Sequence, residues 1–467
     1  MSRLVATALV SGVVAAGALV GTGVAVADET PQHQGGASAV LDGLKTFDGA
    51  VLHVKGENGE KDGVKNLSAG LFEMTVEGGG KLKTYCIDIH NPTQDKAQYL
   101  ETSWAETSLG RNEDAGKIRW ILDHSYPQVD DLDALAKAAG SGTLTEKTAA
   151  AGTQVAIWRY SDDADVTAKD PAAEKLADYL EESAQVVAEP KASLTLSPAA
   201  VSGKAGELLG PVTVHTDAGQ VSVAPPADAV ASGVKVTDKD GTPVTEATNG
   251  TELYFDVPED AADGSASLSA QATTSVPVGR AFTGATTTSQ VQILAGSSVS
   301  TVTAEAAATW AKKGAAPALT AKENCVAGGV DITAQNNGDE AFTFELAGKE
   351  HTIEAGKTET VTIPVGEDES YDFTITGEGG FTQNFKGVLD CATSGSTTPA
   401  NDEVTTQTTE QPSPAATGSG TSGTEGADLA ATGGSSATPV IAGVAVVLVL
   451  LGGAAVFVLR RKKTSTN

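Results

Sequence analysis

The chain has 467 residues, with 31 Lys and Arg against 60 Asp and Glu, for a formal net charge of −29. Such an excess of acid excludes a nucleic-acid-binding protein, because phosphate contacts need a cationic face. Aromatic residues are 4%, beside 52 Gly and 18 Pro, which suits Thr/Val/Ala-rich β modules with polar connections better than one large enzyme core. Three cysteines is an odd number, and in an exported protein the odd one is a free thiol or one committed to other chemistry.

Residues 1–27 have the form of a secretory signal: Arg3, an apolar stretch from Leu4 to Val24, and Ala25-Val26-Ala27 before Asp28. A membrane helix is the competing reading, and the A-x-A site favours cleavage. At the other end, Val440 to Leu459 carries no charge, and as an α-helix it would extend about 30 Å, enough to span a bilayer. Arg460, Arg461, Lys462 and Lys463 open a basic tail, 460–467, that the positive-inside tendency places in the cytoplasm. Before the span sits Leu429-Ala430-Ala431-Thr432-Gly433. The order pentapeptide, span, basic tail resembles the cell-wall sorting signal of Gram-positive surface proteins, in the LAxTG form read by class E sortases of actinobacteria. The resemblance implies cleavage between Thr432 and Gly433, transfer of the Thr432 carboxyl to a peptidoglycan amine, and a cell-surface, wall-anchored product that is only transiently membrane-held. Residues 393–428 are Ser, Thr, Gly, Pro and Ala with scattered acids, a composition that cannot bury a core and predicts a disordered wall-spanning stalk.

The first domain is expected over 37–189. Leu71 to Val76 alternates like a strand, Gly78-Gly79-Gly80 marks a turn, and Leu82 to Ile89 continues as a strand. In that second strand Tyr85, Ile87 and Ile89 share one face, while Thr84, Cys86 and Asp88 share the other. Glu113 to Asp123 has helical patterning. Thr143-Leu144-Thr145-Glu146 fits a capping box opening a helix on which Ala151, Gln154, Val155 and Trp158 lie on one face. An amide in the middle of an apolar face must find hydrogen bonds. Asp170-Pro171 marks the start of a third helix, with Leu176, Tyr179 and Leu180 facing inward.

Tyr85-Cys86-Ile87-Asp88 and Thr153-Gln154-Val155-Ala156-Ile157-Trp158 resemble the two signatures of the Cys–Gln thioester (TQxA) domains of Gram-positive surface adhesins, in the expected order over about 150 residues. The resemblance implies an α+β head with an internal thioester between Cys86 Sγ and Gln154 Cδ, formed with loss of ammonia. It also implies a single-turnover acyl transfer to an amine on a target surface, so the chain is not expected to be an enzyme in the multiple-turnover sense. Such chemistry asks for Cys86 as a thiolate at attack distance, for donors to the oxyanion, and for shielding from water. Tyr85 and Trp158 are candidate shields; Thr153 and Asp88 are candidates to donate or orient. The alternative is a structural or non-covalent surface protein whose thioester is absent or only an internal crosslink. A cysteine protease using His90 or His124 lacks any accompanying signature. The six His show no metal-ligand spacing, so no metal and no cofactor is expected.

From 190 to 314, short alternating runs (193–196, 212–214, 221–223, 253–257, 290–294 and a last strand from Val299 to Trp310) predict an Ig-like β-sandwich. A smaller β module is expected over 315–392, with Cys325 at its start and Cys391 at its end. Export makes a Cys325–Cys391 disulfide the expected state, two free thiols being the alternative.

Overall fold

The computed structural model describes residues 35–55, 63–226, 232–285, 287–378 and 381–391. All of these fall within one unit, Met1–Glu410. The signal at 1–27, the stalk at 393–428, the pentapeptide Leu429-Ala430-Ala431-Thr432-Gly433, the span at 440–459 and the tail at 460–467 lie outside the described residues. Among the described residues no helix is long and apolar enough to cross a membrane.

The chain opens with two long strands, β1 (Ser38–Val54) and β2 (Gly63–Val76), paired antiparallel along their length with bulges between Leu41 and Gly43 and between Leu44 and Thr46. Only the second half of β2 was legible as a strand, because β1 mixes polar and apolar residues where bulges break the two-residue period. β3 (Lys81–Cys86) follows the glycine turn and stops at Cys86, shorter than the run to Ile89 suggests. β4 (Gln98–Thr102), α1 (Ala115–Asp123), α2 (Leu132–Ala138), α3 (Glu146–Ser161), β5 (Val166–Ala168) and α4 (Pro171–Ser183) complete this stretch. The capping box of α3 lies two residues later than expected: Thr145 is the N-cap, and Thr148, not Glu146, supplies the reciprocal side chain. Asp170 caps α4 through Ala172 and Ala173 N–H, with Pro171 at the first helical position.

The next strands are β6 (Leu194–Ser197), β7 (Ala200–Lys204), β8 (Leu208–Thr216), β9 (Val221–Ala224), β10 (Lys235–Thr237), β11 (Glu246–Ala247), β12 (Glu252–Asp256), β13 (Gly264–Ser275), β14 (Ala281–Gly284), β15 (Gln292–Ser297) and β16 (Val299–Ala311). They form a four-stranded sheet β10-β12-β8-β6 and a five-stranded sheet β11-β9-β13-β16-β7, in which β7 runs parallel to β16. β14 and β15 belong to neither. They enter the head, whose seven-stranded sheet has the order β2-β3-β15-β14-β4-β1-β5. Because β2 also pairs with β1, this antiparallel ladder closes on itself, with β5 appended. The division at 190 therefore differs from the structure: the chain leaves the head, builds most of the second body, returns to the head with β14 and β15, and goes back through β16. Alternation in 290–294 specifies a strand but not the sheet it joins.

That return makes β3 an interior strand, with β2 on one side and β15 on the other. Thr84, Tyr85, Cys86, Ile87, Asp88 and Ile89 are all buried, so both faces expected at this strand are covered. Helix α3 is buried all round from Thr148 to Trp158. Gly152 makes this possible, since a Cβ there would come within 2.5 Å of the Ala173 carbonyl oxygen in α4. A junction at the base of the head is held by Arg280, whose Nε donates to Glu101 Oε1 at 2.9 Å and whose Nη1 donates to Glu189 Oε1 at 2.7 Å.

The last module comprises β17 (Pro317–Asn324), β18 (Gly329–Asn336), β19 (Phe342–Leu346), β20 (Lys349–Ile353), β21 (Lys357–Pro364), β22 (Glu369–Gly377) and β23 (Thr382–Leu389), in sheets β17-β18-β21 and β20-β19-β22-β23. Its core includes Val330, Ile332, Phe342, Phe344, Ile375 and Phe385. A Cys325–Cys391 disulfide joins the ends of β17 and β23. Beside it the module touches the head: Cys325 N–H donates to Ala105 O at 3.1 Å, and Arg111 Nη2 donates to Cys391 O at 2.8 Å.

Candidate functional site

Cys86 stands at the end of β3, and Gln154 faces it from the middle of α3, both 0% exposed. The Gln154 carboxamide is paired both ways with the Cys86 backbone: Cys86 N–H donates to Oε1 at 3.0 Å, and Nε2 donates to Cys86 O at 2.8 Å. This satisfies the buried amide and fixes its orientation against the Cys86 main chain. The sulfur has three contacts of its own. Sγ–H donates to Asp88 O at 3.1 Å, Asp88 N–H reaches Sγ at 3.4 Å, and the Trp158 indole Nε1–H points at Sγ from 3.3 Å.

The residues around this pair define its support. Trp158, one turn beyond Gln154, is both a buried cover and a hydrogen-bond donor to the sulfur. Asp88 works through its backbone on the sulfur, while its carboxylate closes a turn by accepting from His90 N–H, Asn91 N–H and Asn91 Nδ2. Tyr85 is fully buried, and its hydroxyl donates to Tyr126 O at 2.6 Å. Thr153 donates back to Ala149 O at 2.9 Å within its own helix.

Three residues that sequence reasoning did not single out complete the site. Gln292 sits opposite Cys86 in the β3–β15 register and accepts from Thr84 Oγ1 at 3.0 Å. Gln290 Nε2 donates to Asp88 O, the same carbonyl that takes the thiol proton. Asp162, the C-cap of α3, accepts from Ile89 N–H at 2.9 Å and so ties the end of the helix to the turn after Cys86. Gln292 opens β15 and Gln290 lies two residues before it, two amides in an apolar run, the same anomaly that drew notice to Gln154. Asp162 carries no such signal.

Electrostatics depart from the expectation of a resting thiolate. Burial pushes the Cys86 thiol well above its usual range, and the charges of Asp162 and Asp88 push it further. Burial also raises Asp162 strongly, with the charge of Asp88 adding to it. Asp88 is pushed up to about 6 by burial, against the hydrogen bonds from Asn91 and His90 that favour its charged form. The thiol is therefore neutral in its resting state, and its proton rests on a backbone carbonyl. The site thus joins an amide paired with the Cys86 backbone, a backbone N–H on its oxygen, a donor on the sulfur, and no exposure to solvent.

Residues 83–186 match the Thioester domain family, and this segment contains both Cys86 and Gln154. The likeness to that family is confined to this segment of the chain. Residues 299–388 match a second family, the bacterial phospholipase C C-terminal domain; the segment covers β16 and nearly all of the last module and contains no residue of the site described above. No curated protein matches the chain. Among solved structures, the Bacillus anthracis TIE protein is similar at 13% identity over 76% of this chain and 81% of that one, with a TM-score of 0.26. The thioester domain of the Enterococcus faecium TIE86 protein is similar at 16% identity over 59% of this chain and 97% of that one, with a TM-score of 0.27. At these scores the fold rests on the strand pairings above and not on either likeness.

Proposed function

We propose that Cys86 and Gln154 condense to an internal thioester, and that the chain is a wall-anchored surface adhesin whose head transfers the Gln154 acyl group to an amine on a target. The observation that carries this is the two-way hydrogen bonding of the Gln154 carboxamide to Cys86, in a fully buried site inside a segment that matches the Thioester domain family.

In the forming step, the Cys86 sulfur attacks Gln154 Cδ. The S–C bond forms, the C–N bond breaks, and the thiol proton leaves with the amide nitrogen as ammonia. The Cys86 backbone N–H already bonded to Oε1 stabilises the oxyanion, and the Trp158 N–H stabilises negative charge on sulfur. Fixed geometry supplies the rest, since well-oriented intramolecular reactions reach effective molarities of ~10⁵ M or more. Burial then protects the product from hydrolysis. In the transferring step a primary amine attacks Cδ, an amide forms, the S–C bond breaks, and the amine's proton returns to sulfur. The target ends covalently bound and the head is spent. The wall anchor follows from residues 429–433 and the segments after them, with a sortase and peptidoglycan as partners.

Intact-mass measurement tests the forming step. The expected result is a deficit of one ammonia in the wild-type protein, absent in Cys86→Ala and in Gln154→Ala. Methylamine should then restore a titratable thiol and add its own mass at Gln154. A full-mass protein with a free Cys86 thiol would overturn the proposal. A deficit with no methylamine adduct would leave a structural crosslink in place of an adhesin.

A further inference from the structure

We infer that Asp162 is a positioning residue for the proposed thioester chemistry: through the Ile89 N–H it orients the peptide group whose other end, the Asp88 carbonyl, holds the Cys86 thiol. The inference rests on the thioester reading for its consequence and on hydrogen bonds alone for its geometry.

Gln154, Trp158 and Asp162 follow one another at four-residue spacing, so they stand on one face of α3 and its C-cap, ~6 Å apart along the axis. Each holds a different point of the chain from Cys86 to Ile89. Gln154 takes the Cys86 main chain, accepting at 3.0 Å through Oε1 and donating at 2.8 Å through Nε2. Trp158 Nε1–H points at Cys86 Sγ from 3.3 Å. Asp162 Oδ1 accepts from Ile89 N–H at 2.9 Å. The first two contacts are made to Cys86 itself. The third is made three residues further on, where no reacting atom lies.

Its effect runs through one peptide bond. Asp88 O and Ile89 N–H are opposite ends of a single planar group, so a hydrogen bond at one end sets the direction of the other. Asp88 O accepts from Cys86 Sγ–H at 3.1 Å, and the Asp88 N–H points back at the sulfur from 3.4 Å. With Ile89 N–H held, the carbonyl stays on the thiol; with it released, the peptide can turn and take the carbonyl away. Asp162 is anchored for this task. Its own N–H donates to Trp158 O at 3.1 Å, and Ser161 Oγ donates to its Oδ2 at 2.5 Å, leaving Oδ1 to Ile89.

The same side chain acts on the thiol in a second, opposed way. After burial, the charge of Asp162 does most to push the Cys86 thiol up, ahead of the charge of Asp88, while the Trp158 N–H works the other way. Asp162 thus places the sulfur and resists its ionisation. Asparagine keeps a carbonyl oxygen for Ile89 N–H and removes the charge, whereas alanine removes both. The two effects are therefore separable by substitution.

Concentrated ammonia should reopen the thioester to Gln154 and a free Cys86 thiol, and after the ammonia is removed, intact mass times its renewed loss. Asp162→Ala should slow that loss about 10- to 100-fold, the scale of a reacting group misplaced by ~1 Å. Asp162→Asn should stay within about threefold of wild type, and it carries the test by itself if Asp162→Ala does not fold. A second measurement stands apart from the thioester. In Gln154→Ala protein labelled with 13Cβ-cysteine, the Cys86 signal is that of the free thiol, because Cys325 and Cys391 are disulfide-bonded. Adding either Asp162 substitution should lower its titration midpoint by about one pH unit, while its position at neutral pH should move with alanine and not with asparagine. Ammonia loss at the wild-type rate in Asp162→Ala would overturn the inference, as would an Asp162→Asn protein as slow as the alanine variant. A wild-type protein without an ammonia deficit would overturn the thioester reading. In that case a neutral-pH Cys86 signal unmoved by Asp162→Ala would overturn the positioning of the sulfur as well.

Discussion

Trp158→Phe isolates the contact on which the proposed chemistry depends most. The indole Nε1–H points at Cys86 Sγ from 3.3 Å, and the phenyl ring keeps the apolar cover but removes that donor. In the resting state the sulfur is a neutral thiol, so the hydrogen bond contributes little. As the thioester forms or opens, sulfur carries negative charge in a site with no exposure to solvent, where a hydrogen bond to a charged partner contributes ~1.5–3 kcal/mol. Losing it raises the barrier by that amount, about 10- to 150-fold in rate at ~1.4 kcal/mol per tenfold. Opening by methylamine passes through the same charged sulfur. The assay is release of the Cys86 thiol on adding methylamine to the folded variant, with intact mass reporting how much thioester was present and urea unfolding reporting the fold. Thiol release at the wild-type rate or faster, in a variant of near wild-type stability, would refute a role for the indole N–H on sulfur.

Arg280→Met should cost about 3–5 kcal/mol in urea unfolding, because it strands Glu101, whose side chain is 0% exposed. Adding Glu101→Gln to that variant should recover part of the loss, and no recovery would locate the cost in packing. Reducing the Cys325–Cys391 disulfide, which closes a loop of sequence separation 66, should cost the last module up to about 4 kcal/mol. Hydrogen exchange should show the loosening concentrated in β17 to β23. Glu323, which accepts from Tyr371 OH at 3.1 Å, is pushed up to about 8, first by burial and then by the charge of Glu106. A carboxyl raised in the folded state binds its proton more tightly there than in the unfolded chain, so its contribution to stability falls as pH rises from the ordinary carboxyl range through about 8. Glu323→Gln should therefore be more stable than wild type at pH 9 and converge with it near pH 5, and parallel pH profiles for the two proteins would refute the assignment.

The pair was legible through the resemblance of its two signatures to a known family; alone, a cysteine in a strand and an amide on an apolar helix face read as satisfied core residues. The cap of α4 was legible from Asp170-Pro171 because that signal is local. Trp158 was legible as a large apolar neighbour, while its N–H on sulfur depends on the packing of α3 against β3. Gln290 and Gln292 were placed in the wrong body, since strand pairing over about 200 residues leaves no mark on either strand's own pattern. The resting charge of Cys86 was misjudged for a related reason. Its two acidic neighbours reach it from Asp88, close in sequence, and from Asp162, at the far end of a helix.

The return of β14 and β15 to the head makes its sheet depend on distant sequence. Cys86 and Gln154 are 68 residues apart, but the strand that flanks Cys86 and the amide that braces Asp88 come more than 200 residues after Cys86. A head fragment ending at residue 189 would keep both reactive residues and lose one wall of their chamber. The thiol and the amide come from the first 160 residues, yet the closed sheet that covers them is complete only with β15 in place between β3 and β14. The two residues of the proposed thioester and the strand that covers them are thus separated in sequence by the intervening body, and the head is sealed only with that strand in place.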